Sequence, residues 1–240
     1  MAKWIGRIAI GTCFLALVLI GGAGPLYRYA GIELPMAFQM LTVGLGASAL
    51  AVLVAVVALV RAAIVRSGEG LVVVLLAAVV AAGVGSVPLK LAMTAKSLPV
   101  IHDITTDTAS PPAFVAIAPI RANAPNGVDY ATDPAEQQKG YPDIKSYVST
   151  LAPAALFENA EAVAKELKWE IVASSRGEGR IEATDTTAWW GFKDDVVIRI
   201  VAEGTGSKLD IRSMSRVGKS DLGKNADRIR TFLALLSKKG

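Results

Sequence analysis

Residues 210–225 read DIRSMSRVGKSDLGKN, and two incompatible folds hang on how that stretch is taken. If Gly218, Lys219 and Ser220 close a phosphate-binding loop, the strand before them is a buried parallel strand and the chain is a nucleotide-binding α/β protein. If they do not, the same letters are an antiparallel strand, a turn and a helix cap. The loop requires G-x-x-x-x-G-K-[ST], and the position of its first glycine holds Ser213. Arg212 and Arg216 add bulk where the backbone has to wrap a phosphate. No apolar strand ending in Asp follows to hold a magnesium ion. The second reading is the one the residues support, and it calls for no nucleotide, metal or other cofactor.

Outward from that stretch, the pattern is one of antiparallel pairing. Trp169–Ser174, Arg180–Ala188, Val196–Ala202 and Lys208–Ser215 alternate in the manner of strands, with RGEG (176–179) and EGTGS (203–207) as hairpin turns between neighbours. Ahead of them Leu156, Ala160, Val163 and Leu167 have helical spacing, and Pro153 suits a first helical turn. Behind them a last helix beginning near Ser220 or Asp221 presents Ile229, Phe232, Leu233 and Leu236. Helix, four strands, helix is the order of an antiparallel four-stranded sheet with two packed helices, an α+β domain over residues 153–240.

Eight of the eleven prolines lie between Pro99 and Pro153, a density that excludes long helices. A solvated tether has no need of Ile101, Ile104, Phe114, Ile117, Tyr130, Tyr141 and Ile144, so residues 99–152 read as an extended arm packed on the domain.

Residues 1–98 are of a different kind. The mean hydropathy of the whole chain is +0.45, and nearly all the long apolar runs fall here, with only two acids, Glu33 and Glu69. Runs at about 4–22, 37–60 and 71–89 are near the roughly 20 residues that a membrane span needs, and none carries a charge near its middle. Small residues recur at four-residue spacing, Gly44 with Ser48 and Ala78 with Ala82 and Ser86, as in closely packed helices. Lys90 and Lys96 are placed to snorkel to headgroups. Lys3, Arg7, Arg61 and Arg66 flank one end of the spans, which predicts a cytoplasmic N-terminus and a C-terminal domain on the far side of a cytoplasmic membrane. A cleaved signal peptide at residues 4–22 would leave that placement unchanged. The single cysteine, Cys13, precludes an intramolecular disulfide and reads as apolar packing.

Charge narrows the function. Residues 208–240 hold nine Lys or Arg against three acids, and residues 99–207 nine against sixteen. The basic balance of the chain therefore belongs mostly to its apolar part, and nucleic acid is not an expected partner. Arg212, Arg216, Lys219, Ser220 and Lys224 gather near the start of the last helix, whose N–H groups favour anions. Two readings stand: these residues bind an external anion, such as a lipid headgroup or a cell-envelope acid, or the arginines pair internally with Asp103, Asp107, Asp129, Asp133, Asp143, Asp194 and Asp195. A second polar cluster, His102, Asp103, Thr105, Thr106 and Asp107, stands at the membrane exit. With a serine it would supply the groups of a hydrolase triad, although no G-x-S-x-G elbow is present.

The strings HDITTDTASPPAF (102–114), YPDI (141–144), GRIEATDTTAWWGFKDDVVIRI (179–200) and DIRSMSRVGKSDLGKNADRIRTFL (210–233) together resemble the family known as domain of unknown function 1499. The resemblance implies no reaction and no catalytic residues. It does imply that arm and sheet form one unit. The expectation is a non-catalytic membrane protein whose outward domain binds an anionic ligand or a membrane-protein partner; an envelope hydrolase and a scaffold are the alternatives.

Overall fold

A computed structural model describes residues 2–239. The chain divides into two compact units, Met1–Lys96 with Trp189–Gly191, and Ser97–Ala188 with Phe192–Gly240.

The first unit is built on three helices, α1 (Ala2–Ala30), α2 (Leu34–Val65) and α3 (Leu71–Ser97). All three are long and apolar enough to cross a membrane. They outrun the apolar runs that betray them. α1 continues through Gly21, Gly22, Gly24 and Pro25 to Ala30 and ends at Gly31, whose φ of +70° carries the chain out of the helix. α2 has 32 residues, about 48 Å at the usual rise, well beyond a hydrocarbon core of about 30 Å, so even a strongly tilted α2 would extend past such a core.

Packing in this unit is inverted relative to a water-soluble core. The buried positions are small: Ala9, Ala16 and Ala23 in α1, and Ala37, Ala47, Ala51 and Ala55 in α2. Phe14, Leu53 and Val79 point outward, each more than half exposed. Small residues inside let backbones approach, while large apolar ones outside suit a hydrocarbon solvent. In α3 the inward positions are Ala78, Ala81 and Gly85, so Ala82 and Ser86, which share the four-residue spacing, lie outside the contact. Trp189 and Trp190 belong to this unit and pack beside Ile20, Ala23 and Ala37.

The second unit is an antiparallel sheet with helices. The four expected strands are β3 (Glu170–Ser175), β4 (Arg180–Thr186), β5 (Lys193–Glu203) and β6 (Gly206–Ser215). The arm adds two short strands, β1 (Asp103–Thr105) and β2 (Tyr147–Ser149), both on the free edge of β6, so the order is β1-β6-β5-β4-β3 with β2 beside β1 along that edge. Gly179, at φ +60°, makes the β3–β4 turn, because a β-carbon there would collide with the Ile200 carbonyl. The arm also contains a 3-10 turn (Ala118–Arg121) and α4 (Pro134–Gly140), seven residues long with Asp133 as its cap.

One face of the sheet carries α5 (Pro153–Glu166) and α6 (Lys224–Leu236). Leu156, Ala160 and Val163 meet Ile229, Phe232 and Leu236 over Ile181, Val196, Ile198, Leu209 and Ile211, and Trp169 stacks on Phe232 at 5.5 Å. The opposite face is covered by the arm, with Phe114 and Ile117 on Val197 and Met214. Period-2 alternation therefore sends half of each central strand into apolar packing under helices and the other half under the arm.

Candidate functional site

The face under the arm is where the charged residues of β4, β5 and β6 converge. Alternation along β6 puts Asp210, Arg212 and Met214 on that side, beside Asp195 and Arg199 of β5 and Glu182 and Thr184 of β4. Asp103, Glu182, Asp195 and Asp210 are fully buried there, and Arg212 is 2% exposed. A buried charge is tolerable only when it is paired and hydrogen-bonded, and each of these is.

Arg212 and Asp103 form a two-pronged pair, Nε to Oδ1 at 2.9 Å and Nη2 to Oδ2 at 2.8 Å. The same guanidinium donates to the carbonyls of Pro112 and Val128 in the arm and lies over the rings of Phe114 and Tyr130. Burial, with the Asp103 charge, pushes the Tyr130 phenol up to about 12. Asp195 accepts from Arg121 at 2.7 Å, from Arg216 through both oxygens at 2.8 Å, and from the Thr184 hydroxyl at 2.7 Å. Burial alone would raise the Asp195 carboxyl, but those donors outweigh it and hold the group below the usual carboxylate range. Arg121 spends its remaining donors on carbonyls of Asn126, Gly127, Met214 and Ser215; its burial brings its own pKa down. Glu182 receives three successive arm N–H groups, Val115 and Ala116 on Oε1 and Ile117 on Oε2, at 2.8–3.1 Å. Arg199 bridges Asp107 and Asp210, and Asp210 also accepts from Thr106 and Ser146.

The helix side has its own set. Arg228 of α6 reaches Asp185 at 2.8 Å and Asp194 at 2.6 Å, and it donates to Ser213 and Asn225. The start of α6 is already occupied by an anion of the chain: the Asp221 carboxylate accepts from Gly223 at 2.9 Å and Asn225 at 2.6 Å.

The five residues of the expected anion site are thus divided. Arg212 is inside the fold and closed to an outside ligand, because the arm lies over it and Asp103 faces it. Arg216 is partly buried and held by Asp195. Ser220 turns its hydroxyl to the Leu222 N–H. Lys219 and Lys224 are exposed and make no ion pair among the described residues. Of the acids expected to neutralise the arginines, Asp103 pairs with Arg212 and Asp195 with Arg216, whereas Asp107, Asp143 and Asp194 pair with other arginines, Arg199, Arg230 and Arg228. Asp129 forms no ion pair among the described residues, and Asp133 caps α4 instead.

The polar cluster at 102–107 is also split. Asp103 and Thr105 lie in β1, and Thr105 is gripped through its backbone by Gln137. The backbone N–H of Ile211 and the Asp210 carboxylate take up Thr106. His102 points elsewhere, its Nδ1 3.4 Å from the Lys219 carbonyl. Ser213 is fully buried against Asn225 and Arg228. His102, Asp103 and a serine are not brought together as a relay. Arg121, Glu182, Asn225 and Arg228 were not legible as a set. The available signal was the polar half of the alternation in β4, β5 and β6, which reads as a solvent face unless the arm is known to cover it.

The family model described as protein of unknown function (DUF1499) matches residues 103–236, which takes in the arm, the sheet and both packed helices. No curated protein matches the chain. With more than half its length matched, the chain belongs to the DUF1499 family.

Proposed function

We propose that this protein is a non-catalytic, multi-pass protein of a bacterial cytoplasmic membrane whose envelope-facing unit holds an anionic group at the Gly218–Lys224 loop. The topology follows from the basic residues at one end of the spans, Arg7, Arg61 and Arg66, under the positive-inside rule. The observation that carries the binding site is the contrast within the basic segment. Its arginines are consumed by internal pairs, whereas Lys219 and Lys224 stand exposed with no carboxylate partner among the described residues. Between Arg216 and Asp221 the backbone N–H groups of Gly218, Lys219 and Ser220 meet no acceptor among the described residues. Gly218, at φ +92°, turns this loop outward. Two free ammonium groups and three free N–H donors suit a phosphate or carboxylate, whether from a lipid headgroup or a cell-wall polymer.

Native mass spectrometry of the gently extracted full chain, beside Lys219→Gln/Lys224→Gln, tests this. An anionic adduct carried by the wild type and lost from the folded variant supports the reading and identifies the ligand class. The same adduct on both proteins, or stoichiometric protein partners with no small ligand, overturns it.

A further inference from the structure

The Gly218–Lys224 loop carries a competitor for its own anion site. Asp221 stands in the middle of the loop and is 9% exposed. Its carboxylate accepts the N–H groups of Gly223 at 2.9 Å and Asn225 at 2.6 Å, at the start of α6. Its backbone is fixed on both sides, the N–H donating to the Ile101 carbonyl and the C=O accepting from the Lys224 N–H. Among the described residues no Lys, Arg or His forms an ion pair with Asp221. An uncompensated acid is therefore built into the short segment that also holds Lys219 and Lys224.

A second group beside it is uncommitted. Tyr141 of the arm is 3% exposed, and its hydroxyl has no hydrogen-bond partner among the described residues. The hydroxyl faces the residue that caps α6, 3.6 Å from where a β-carbon on Gly223 would lie. Burial, with the Asp221 charge, pushes this phenol up to about 12. Its oxygen can accept the proton of a neutral carboxyl, which a carboxylate does not have to give. Burial also raises the Asp221 carboxyl, and the N–H groups of Asn225 and Gly223 offset that only in part.

We infer that Asp221 regulates the loop: its charged carboxylate holds the start of α6 and opposes an outside anion at Lys219 and Lys224, whereas the neutral acid admits one. The inference rests on the loop being the anion site. A like charge within one short loop costs an anion about threefold or more in affinity. Because the anion favours the neutral form, binding takes up a proton, and affinity rises as pH falls through the raised folded value of Asp221. The other charged and titratable groups around Asp221 are His102 and Tyr141 of the arm, Asp194 of β5 with its partner Arg228, and Asp227 of α6. An imidazole also gains charge on the acid side of neutrality, so His102 is given its own control.

The test is calorimetric titration of the full chain in neutral detergent with sulfate, whose charge is the same in mild acid and at neutral pH, at constant ionic strength. The wild type should bind sulfate about threefold or more tightly in mild acid than at neutral pH. Heats that differ between buffers of different ionisation enthalpy should show the proton uptake. Asp221→Asn should bind about threefold or more tightly than the wild type at neutral pH and lose that uptake. Asp221→Ser, which keeps a capping oxygen without the charge, should behave in the same way, and His102→Gln should keep the wild-type pH dependence. If the wild type and the Asp221 variants bind alike, the inference is overturned and the loop remains the anion site. Loss of the pH dependence in His102→Gln assigns it to the imidazole and also overturns the inference. If Lys219→Gln/Lys224→Gln binds sulfate as the wild type does, or if neither the wild type nor Asp221→Asn binds it, the anion site falls and the inference with it.

Discussion

Arg212 and Asp103 meet side-on, both carboxylate oxygens held at 2.8–2.9 Å, and they close a contact between residues 109 positions apart. Because the same guanidinium also takes carbonyls from two separate points of the arm, Pro112 and Val128, the pair fastens a long irregular segment to the middle of a sheet. Arg121 works in the opposite sense, reaching from the arm to Asp195 on β5 and to two carbonyls of β6. Glu182 completes the set by catching three arm N–H groups on one carboxylate. An arm without regular hydrogen bonding would bury many unsatisfied backbone groups. The charged layer supplies their partners, and that explains why a face of the sheet that could have been apolar is instead ionic.

Removing Arg212 should therefore damage the fold. Arg212→Ala leaves the Asp103 carboxylate buried and unpaired, a change that destabilises by about 3–5 kcal/mol. Arg212→Lys should recover little, since an ammonium cannot serve two carboxylate oxygens and two carbonyls in one plane. Thermal unfolding of the full chain, followed by near-ultraviolet circular dichroism, reads both. A variant as stable as the wild type would mean the pair contributes nothing to holding the arm.

Glu182→Gln is a milder and more local probe. The amide keeps one acceptor oxygen where the carboxylate had two, so at least one of the Val115, Ala116 and Ile117 N–H groups loses its partner, at a cost of about 1–3 kcal/mol. The expected signature is faster hydrogen exchange at residues 115–117 with little change in α5 and α6. Uniform acceleration across the sheet would show that arm and sheet open together.

The sequence made the sheet legible because β3 to β6 alternate cleanly and their turns carry glycine. It made the helices legible because nothing charged interrupts them. What stayed hidden was non-local. β1 and β2 are three residues each, too short for any period, and exist because the edge of β6 is free to pair. Arg212 was visible as a cation on the correct face of its strand, yet its partner lies in the arm, and chain spacing says nothing about which of seven acids folds over it. The Asp221 cap was readable from its place before α6, and it explains why the helix start offers less to an outside anion than its dipole suggests.

Stability should pass through a maximum in mild acid. Asp195 is held below its ordinary value of 3.8. Its contribution is thus present above that pH and is lost as pH falls through the depressed folded value. Asp221 runs the other way: burial raises it, and the N–H groups of Asn225 and Gly223 only partly offset that. Its contribution is present below 3.8 and is lost as pH rises through the folded value. Melting temperature against pH for Asp221→Asn should lack the decline above pH 3.8 and keep the acid limb. For Asp195→Asn, less stable at neutral pH, the acid limb should flatten. Parallel curves for all three proteins would contradict both assignments.

In the helical unit the sharpest prediction compares two glycines of one helix. A β-carbon on Gly44 would sit 2.6 Å from Ile20 Cγ1 and 3.2 Å from Leu19 Cβ, inside the α1–α2 contact, whereas one on Gly46 meets nothing within 4 Å. Gly44→Leu forces the two backbones apart, an overpacking effect of about 1–3 kcal/mol or more. Gly46→Leu adds a side chain to open surface, where the gain in helix propensity of up to about 1 kcal/mol leaves it neutral or slightly stabilising. The midpoint of helix loss on titration from mild detergent into dodecyl sulfate should fall for the first variant and hold or rise for the second. If the two behave alike, the close approach of α1 and α2 is not what holds this unit together, and the inward alanines must be explained by something other than helix contact.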